Sequence, residues 1–86
     1  MDPLLVIQTA SLDELVEAEQ VFMPLLRRLK IRYHTYWWGM SEGERDALGL
    51  RIQATTIEAH RVGLTDQETI LDEVADHYGW ERDGLS

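Results

Sequence analysis

The sequence predicts an all-α fold: a small bundle of three helices, or four if the first is divided at Pro24, with an extended N-terminal arm. Three observations carry this expectation. The pattern Ser/Thr-x-x-Glu occurs at Ser11-Leu-Asp-Glu14, Ser41-Glu-Gly-Glu44 and Thr65-Asp-Gln-Glu68. In such a capping box the hydroxyl accepts from the backbone N–H three residues on, and the glutamate reaches back to the cap's own N–H, so two orphan donors of a new helix are satisfied. Apolar residues at helical spacing follow each box. Gly39 and Gly63 stand just before the second and third, where a left-handed residue ends the preceding helix.

Residues 1 to 10 are expected to be an extended arm, with Leu4, Leu5, Val6 and Ile7 covering the core or a partner. The first helix begins at Leu12. Leu12, Leu15, Glu19, Phe22, Leu26, Leu29, Tyr33, Tyr36 and Met40 recur at alternating steps of three and four, and all but Glu19 are apolar or aromatic, which is a heptad seam. Pro24 deletes one backbone hydrogen bond and crowds the preceding turn, so a kink or break is expected between Gln20 and Pro24. Length argues for a division as well. Unbroken from 12 to 38 the helix would run about 40 Å at 1.5 Å per residue, against about 31 Å across a compact globule of this size.

A strand over Ile31 to Trp38, paired with Leu4 to Gln8, is the competing reading, because β-branched and aromatic residues favour strands. The helix explains more, since it continues the seam through Tyr33, Tyr36 and Met40. The second helix, about 42 to 62, carries one apolar stripe through Leu48, Ile52 and Ala59 and another through Ala47, Leu50, Ala54 and Ile57. Two stripes predict two neighbours and a central position. Gly49, in its middle, predicts close approach of another element. The third helix, about 66 to 78, offers Ile70, Leu71, Val74 and Tyr78 to the core and stops at Gly79. The domain therefore spans 11 to 80, with 81 to 86 as a tail.

With 44% apolar and 28% charged residues among 86, the composition is that of a globular domain. Absence of cysteine excludes disulfides, thiolate nucleophiles and cysteine-ligated zinc. No apolar run approaches the roughly 20 residues that span a bilayer, and the start lacks a basic signal-peptide lead, so a cytoplasmic protein without a membrane role is expected. Catalytic equipment is poor. Ser11 and Ser41 are explained as caps and Ser86 is terminal, while His34, His60 and His77 show no metal-ligand spacing. No cofactor, metal or small-molecule substrate is expected, and the chain is read as non-enzymatic.

Charge is unevenly spread, with a net −8 overall. Residues 1 to 19 hold five acids and no base, 20 to 41 four bases and no acid, and 66 to 86 seven acids and one base. Phosphate binding needs clustered Lys and Arg, so direct nucleic-acid binding is not expected. Segment 47 to 78, two helices joined by Val62-Gly-Leu-Thr65, faintly resembles a helix-turn-helix, but its second helix would meet phosphate with carboxylates.

One stretch differs. Arg27 to Trp38 gathers two of three tryptophans, two of three tyrosines and half of the bases. On a helix Trp37 and Trp38 project about 100° apart, so one core face does not easily take both. Aromatics and arginine dominate interface hot spots. Arg28, Arg32, Tyr33, Tyr36, Trp37 and Trp38 are therefore the expected partner-binding residues of a protein–protein interaction module, by homodimerisation through the seam or with another protein. The alternative is an acidic inhibitor that mimics nucleic acid, as phage-type anti-restriction or anti-CRISPR proteins do, using Asp66, Asp72, Glu73 and Asp76.

Overall fold

Five helices follow one another in the computed structural model, which describes residues 2–83: α1 (Pro3–Thr9), α2 (Leu12–Arg32), α3 (His34–Gly39), α4 (Glu42–Arg61) and α5 (Gln67–Tyr78). The described residues contain no strand, and α3 stands where the competing strand over 31–38 would lie. The class is all-α, but the helix count is corrected from three or four to five.

The first correction is the arm. Asp2 accepts from the Leu4 N–H at 3.0 Å and Pro3 occupies the first turn, where its missing donor and fixed φ cost nothing. That start nucleates α1, which buries Val6 beside Ala18, Ala54 and Ile57 and packs along α4. The arm is thus a short helix held by tertiary contact.

The second correction is the division of the first helix. Pro24 lies inside α2 without ending it. Leu25 and Leu29, beyond the proline, are fully buried with Leu48 and Ile52 of α4, and this packing outweighs one lost backbone bond. The break falls nine residues later at Tyr33 (φ −123°, ψ 44°). There the C-terminal segment intervenes. The Asp83 N–H donates to the Arg32 carbonyl at 3.2 Å, and the Asp83 carboxylate accepts from the Thr35 N–H, so a carbonyl released by α2 and a donor released by α3 both find partners.

Ser11 and Ser41 form complete capping boxes with Glu14 and Glu44. Thr65 does not: Asp66 is the cap of α5, accepting from the Thr69 N–H at 3.3 Å and its hydroxyl at 3.2 Å. Gly63 (φ +81°) and Gly79 (φ +70°) are left-handed stops, whereas Gly39 is the last residue of α3. Helix α4 packs against α1, α2 and α5, three neighbours where its two stripes predict two. Gly49 lies under the Phe22 ring, with Phe22 Cζ 3.6 Å from where a Cβ would stand. Thr56, buried in α4, is satisfied by donating to the Ile52 carbonyl at 2.8 Å.

Candidate functional site

Packing divides the aromatic and basic stretch. Leu29, Tyr33 and Trp37 turn inward, with Tyr33 and Trp37 both buried. The heptad seam therefore belongs to the core over most of its length: Leu15, Phe22, Leu26, Tyr36 and Met40 pack against it, and only Leu12 and Glu19 are exposed. A dimer through the seam would have to open the fold.

Arg28 and Arg32 face α5. Arg32 donates through Nη1 to Glu68 Oε2 at 2.7 Å and through Nη2 to Asp72 Oδ1 at 2.8 Å. Arg28 pairs with Glu68 and donates to Gln67 Oε1 at 3.1 Å. The basic face and the acidic face thus close on each other. Asp66 is occupied as a cap, leaving Glu73 and Asp76 as exposed carboxylates with no ion pair among the described residues.

Trp38 alone of the stretch's large aromatics points outward, 61% exposed. The Arg45 guanidinium of α4 sits 5.5 Å from its ring centroid and 5.2 Å from that of Trp37, and its Nε donates to the Trp37 carbonyl at 3.2 Å. One arginine therefore holds both indoles, and His34 adds an edge contact to Trp38 at 6.2 Å. Lys30 Nζ also lies 4.8 Å from the Trp37 ring centroid. Arg45 also borders an open groove of about 590 Å³ between α2 and α4, walled by Phe22, Leu26, Trp37 and Leu50 over Gly49.

Sequence reasoning missed Arg45, and it missed Trp80. The Trp80 indole stacks on Tyr36 (5.2 Å, 12°) and Tyr78 (4.9 Å, 20°) and tilts against Tyr33 at 5.7 Å. The signal was present. A residue following a left-handed helix stop returns its N–H to the last turn, here Trp80 to the Ala75 carbonyl at 2.9 Å, and an apolar side chain there packs back on the helix. Within the expected tail, the Glu81 N–H donates to the Tyr36 hydroxyl at 3.4 Å and the Asp83 N–H to the Arg32 carbonyl; 84–86 lie outside the described residues.

The histidines go separate ways. His60 Nδ1 lies 3.6 Å from Glu17 Oε2, and His77 meets the Tyr78 ring edge-on at 5.1 Å. Among the described residues no cluster of three or more His, Asp or Glu side chains is placed to hold a metal ion, and no described helix is long and apolar enough to cross a membrane. Glu14 accepts a forked pair from Arg61, 2.5 Å from Nε and 3.1 Å from Nη2, which with the Ser11 backbone N–H holds its carboxyl down at about 2. The fork also raises Arg61. In the second box the Ser41 backbone and hydroxyl lower Glu44. Both are helix-end devices. The chain matches no family model, no curated protein and no solved structure.

Proposed function

We propose that this chain is a non-enzymatic protein–protein interaction module, an adaptor or regulator, that meets its partner through the exposed indole of Trp38 and the apolar groove beside it. Trp38 carries the reading. It is 61% exposed, although Tyr33 and Trp37 from the same stretch are buried, and Arg45 fixes its orientation. At about 25 cal/mol per Å², covering half of a tryptophan's roughly 200 Å² contributes on the order of 2 to 3 kcal/mol, or tens of fold in affinity. A ring already held by a guanidinium loses little freedom on binding.

The nucleic-acid mimic is the lesser reading, because of its four carboxylates Asp72 is paired with Arg32 and Asp66 is engaged as a cap, which leaves Glu73 and Asp76 to offer a basic groove. Capture from host lysate on the immobilised chain separates the two. An interaction at Trp38 keeps its partner when salt is raised from about 0.1 to about 0.5 M and loses it, tenfold or more, with Trp38→Ala. A partner released by salt and by Asp76→Asn, and indifferent to Trp38→Ala, would replace this reading with the mimic.

A further inference from the structure

Helix α2 carries a second apolar stripe, on the side away from the core. Leu12 is 76% exposed, Val16 48%, Met23 55% and Ile31 62%. At 100° per residue these four, with Gln20 and Arg27 between them, fall within about 100° of arc, nearly opposite the face that buries Ala18, Leu25 and Leu29. Among the described residues no helix covers them. Scattered apolar residues on a surface need no explanation, but four in one line along one helix are the pattern of a helix that expects a neighbour on that side.

Charge along the same helix names the neighbour. Acids Asp13, Glu17 and Glu19 lie in the first half of α2 and bases Arg27, Arg28 and Lys30 in the second. Glu17 is near His60, Arg28 is paired with Glu68, and Lys30 is drawn over Trp37. Asp13, Glu19 and Arg27, all exposed, have no ion-pair partner among the described residues. A helix with one acidic and one basic half complements itself only when turned end for end. We infer that this face pairs with the same face of a second copy, the two α2 helices antiparallel about a two-fold axis at Met23.

In that arrangement Met23 meets Met23, Val16 of each copy meets Ile31 of the other, and Glu19 faces Arg27 across the axis. Every contact away from the axis occurs twice, and Met23 meets its own copy once on it, as an isologous interface requires. A parallel pair would set acid on acid and base on base. The inference is independent of the Trp38 reading, since it concerns a different face, and a dimer built this way presents two copies of Trp38.

A single helix pair lies at the small end of specific interfaces, about 1,200 Å², so association belongs in the micromolar range and is read over a concentration series. Sedimentation equilibrium of the untagged chain should show the mass rising from 10.0 kDa toward twice that value. Met23→Glu sets two carboxylates together on the axis and should weaken the dimer at least about tenfold, with an unchanged circular dichroism spectrum, since Met23 is exposed in the monomer. Glu19→Lys and Arg27→Glu should each weaken it several-fold, and the two together should restore it. A chain that stays monomeric throughout, Met23→Glu that dimerises like the parent, or a double variant weaker than either single would each overturn the antiparallel pairing. Trp38→Ala leaves this equilibrium unchanged whether or not Trp38 binds a partner.

Discussion

Arg32 Nη2 stands 2.8 Å from Asp72 Oδ1, joining the basic end of α2 to the acidic side of α5. The Arg32 side chain is only 14% exposed, whereas Glu68 and Asp72 are about half exposed at 43% and 54%. Solvent therefore screens much of the attraction, and truncation is expected to cost about 1 kcal/mol and no more than a good surface network gives. The aliphatic stem matters too. Arg32→Met, which keeps the stem, should cost less than Arg32→Ala in urea unfolding, and the difference between Arg32→Met and the parent should shrink as salt is raised. Equal losses for both variants would mean that the charge, not the stem, holds α5.

The start of α5 separates two adjacent residues that the sequence motif confuses. Asp66 accepts from Thr69 through both backbone and side chain, while Thr65 makes no capping bond. Asp66→Ala is therefore expected to lose about 1 kcal/mol and Thr65→Ala nearly nothing, both measured by thermal unfolding. Ser41→Ala, in a complete box, should match Asp66→Ala.

What was legible in the sequence is what is local. Ser11, Ser41 and the apolar period declare α2 and α4 because a cap and its glutamate are three residues apart. The end of α2 is not local: Tyr33 breaks the helix where Asp83, fifty residues on, takes up the freed backbone groups. The candidate site divides in the same way. Adjacent tryptophans on a helix must diverge, so an outward Trp38 was foreseeable. That Arg28 and Arg32 are engaged by α5 was not, since their partners lie 36 to 40 residues away. The Asp2-Pro3 start of α1 was a local signal left unread, because seven residues make no stable helix until Val6 is buried.

Gly49 offers a stabilising change. A Cβ there would meet Phe22 Cζ at 3.6 Å, an ordinary van der Waals contact, and the position is interior to α4. Gly49→Ala should therefore raise stability by up to about 1 kcal/mol, the helix-propensity difference, with a higher melting temperature. A lower one would mean that the Phe22 ring cannot give way.

Acid should loosen the junction of α2 and the end of α4. Glu14 titrates at about 2 in the folded protein, below its ordinary 4.5, chiefly because of Arg61. A depressed folded value means that its contribution is fully present above pH 4.5 and is lost as pH falls from there through about 2. Glu14→Gln should flatten stability against pH in that window and leave the slope above pH 5 unchanged, as read from urea midpoints at stepped pH. A slope as steep as the parent's would place the acid sensitivity in other carboxylates.

The C-terminal segment is expected to act as a latch on the α2–α3 break. Trp80 is wedged among Tyr33, Tyr36 and Tyr78, and Asp83 caps the freed backbone of Thr35 while its own N–H takes the Arg32 carbonyl. The two residues hold by different means and should fail differently. Trp80→Ala removes aromatic surface shared with the break residue Tyr33, with α3 and with α5, and should cost about 2 to 3 kcal/mol of global stability, short of a fully buried tryptophan because the ring is partly exposed. Asp83→Ala removes a cap, and should cost about 1 kcal/mol concentrated at α3. Amide hydrogen exchange tells the two apart. In Asp83→Ala the Thr35 amide should exchange much faster while the Leu48 and Ile52 amides of α4 keep their protection; in Trp80→Ala all three should speed up together, because the core itself opens more often. If Thr35 exchanges in Asp83→Ala as it does in the parent, the carboxylate is not what holds the start of α3, and the break at Tyr33 rests on the packing of Tyr33 and Trp37 alone.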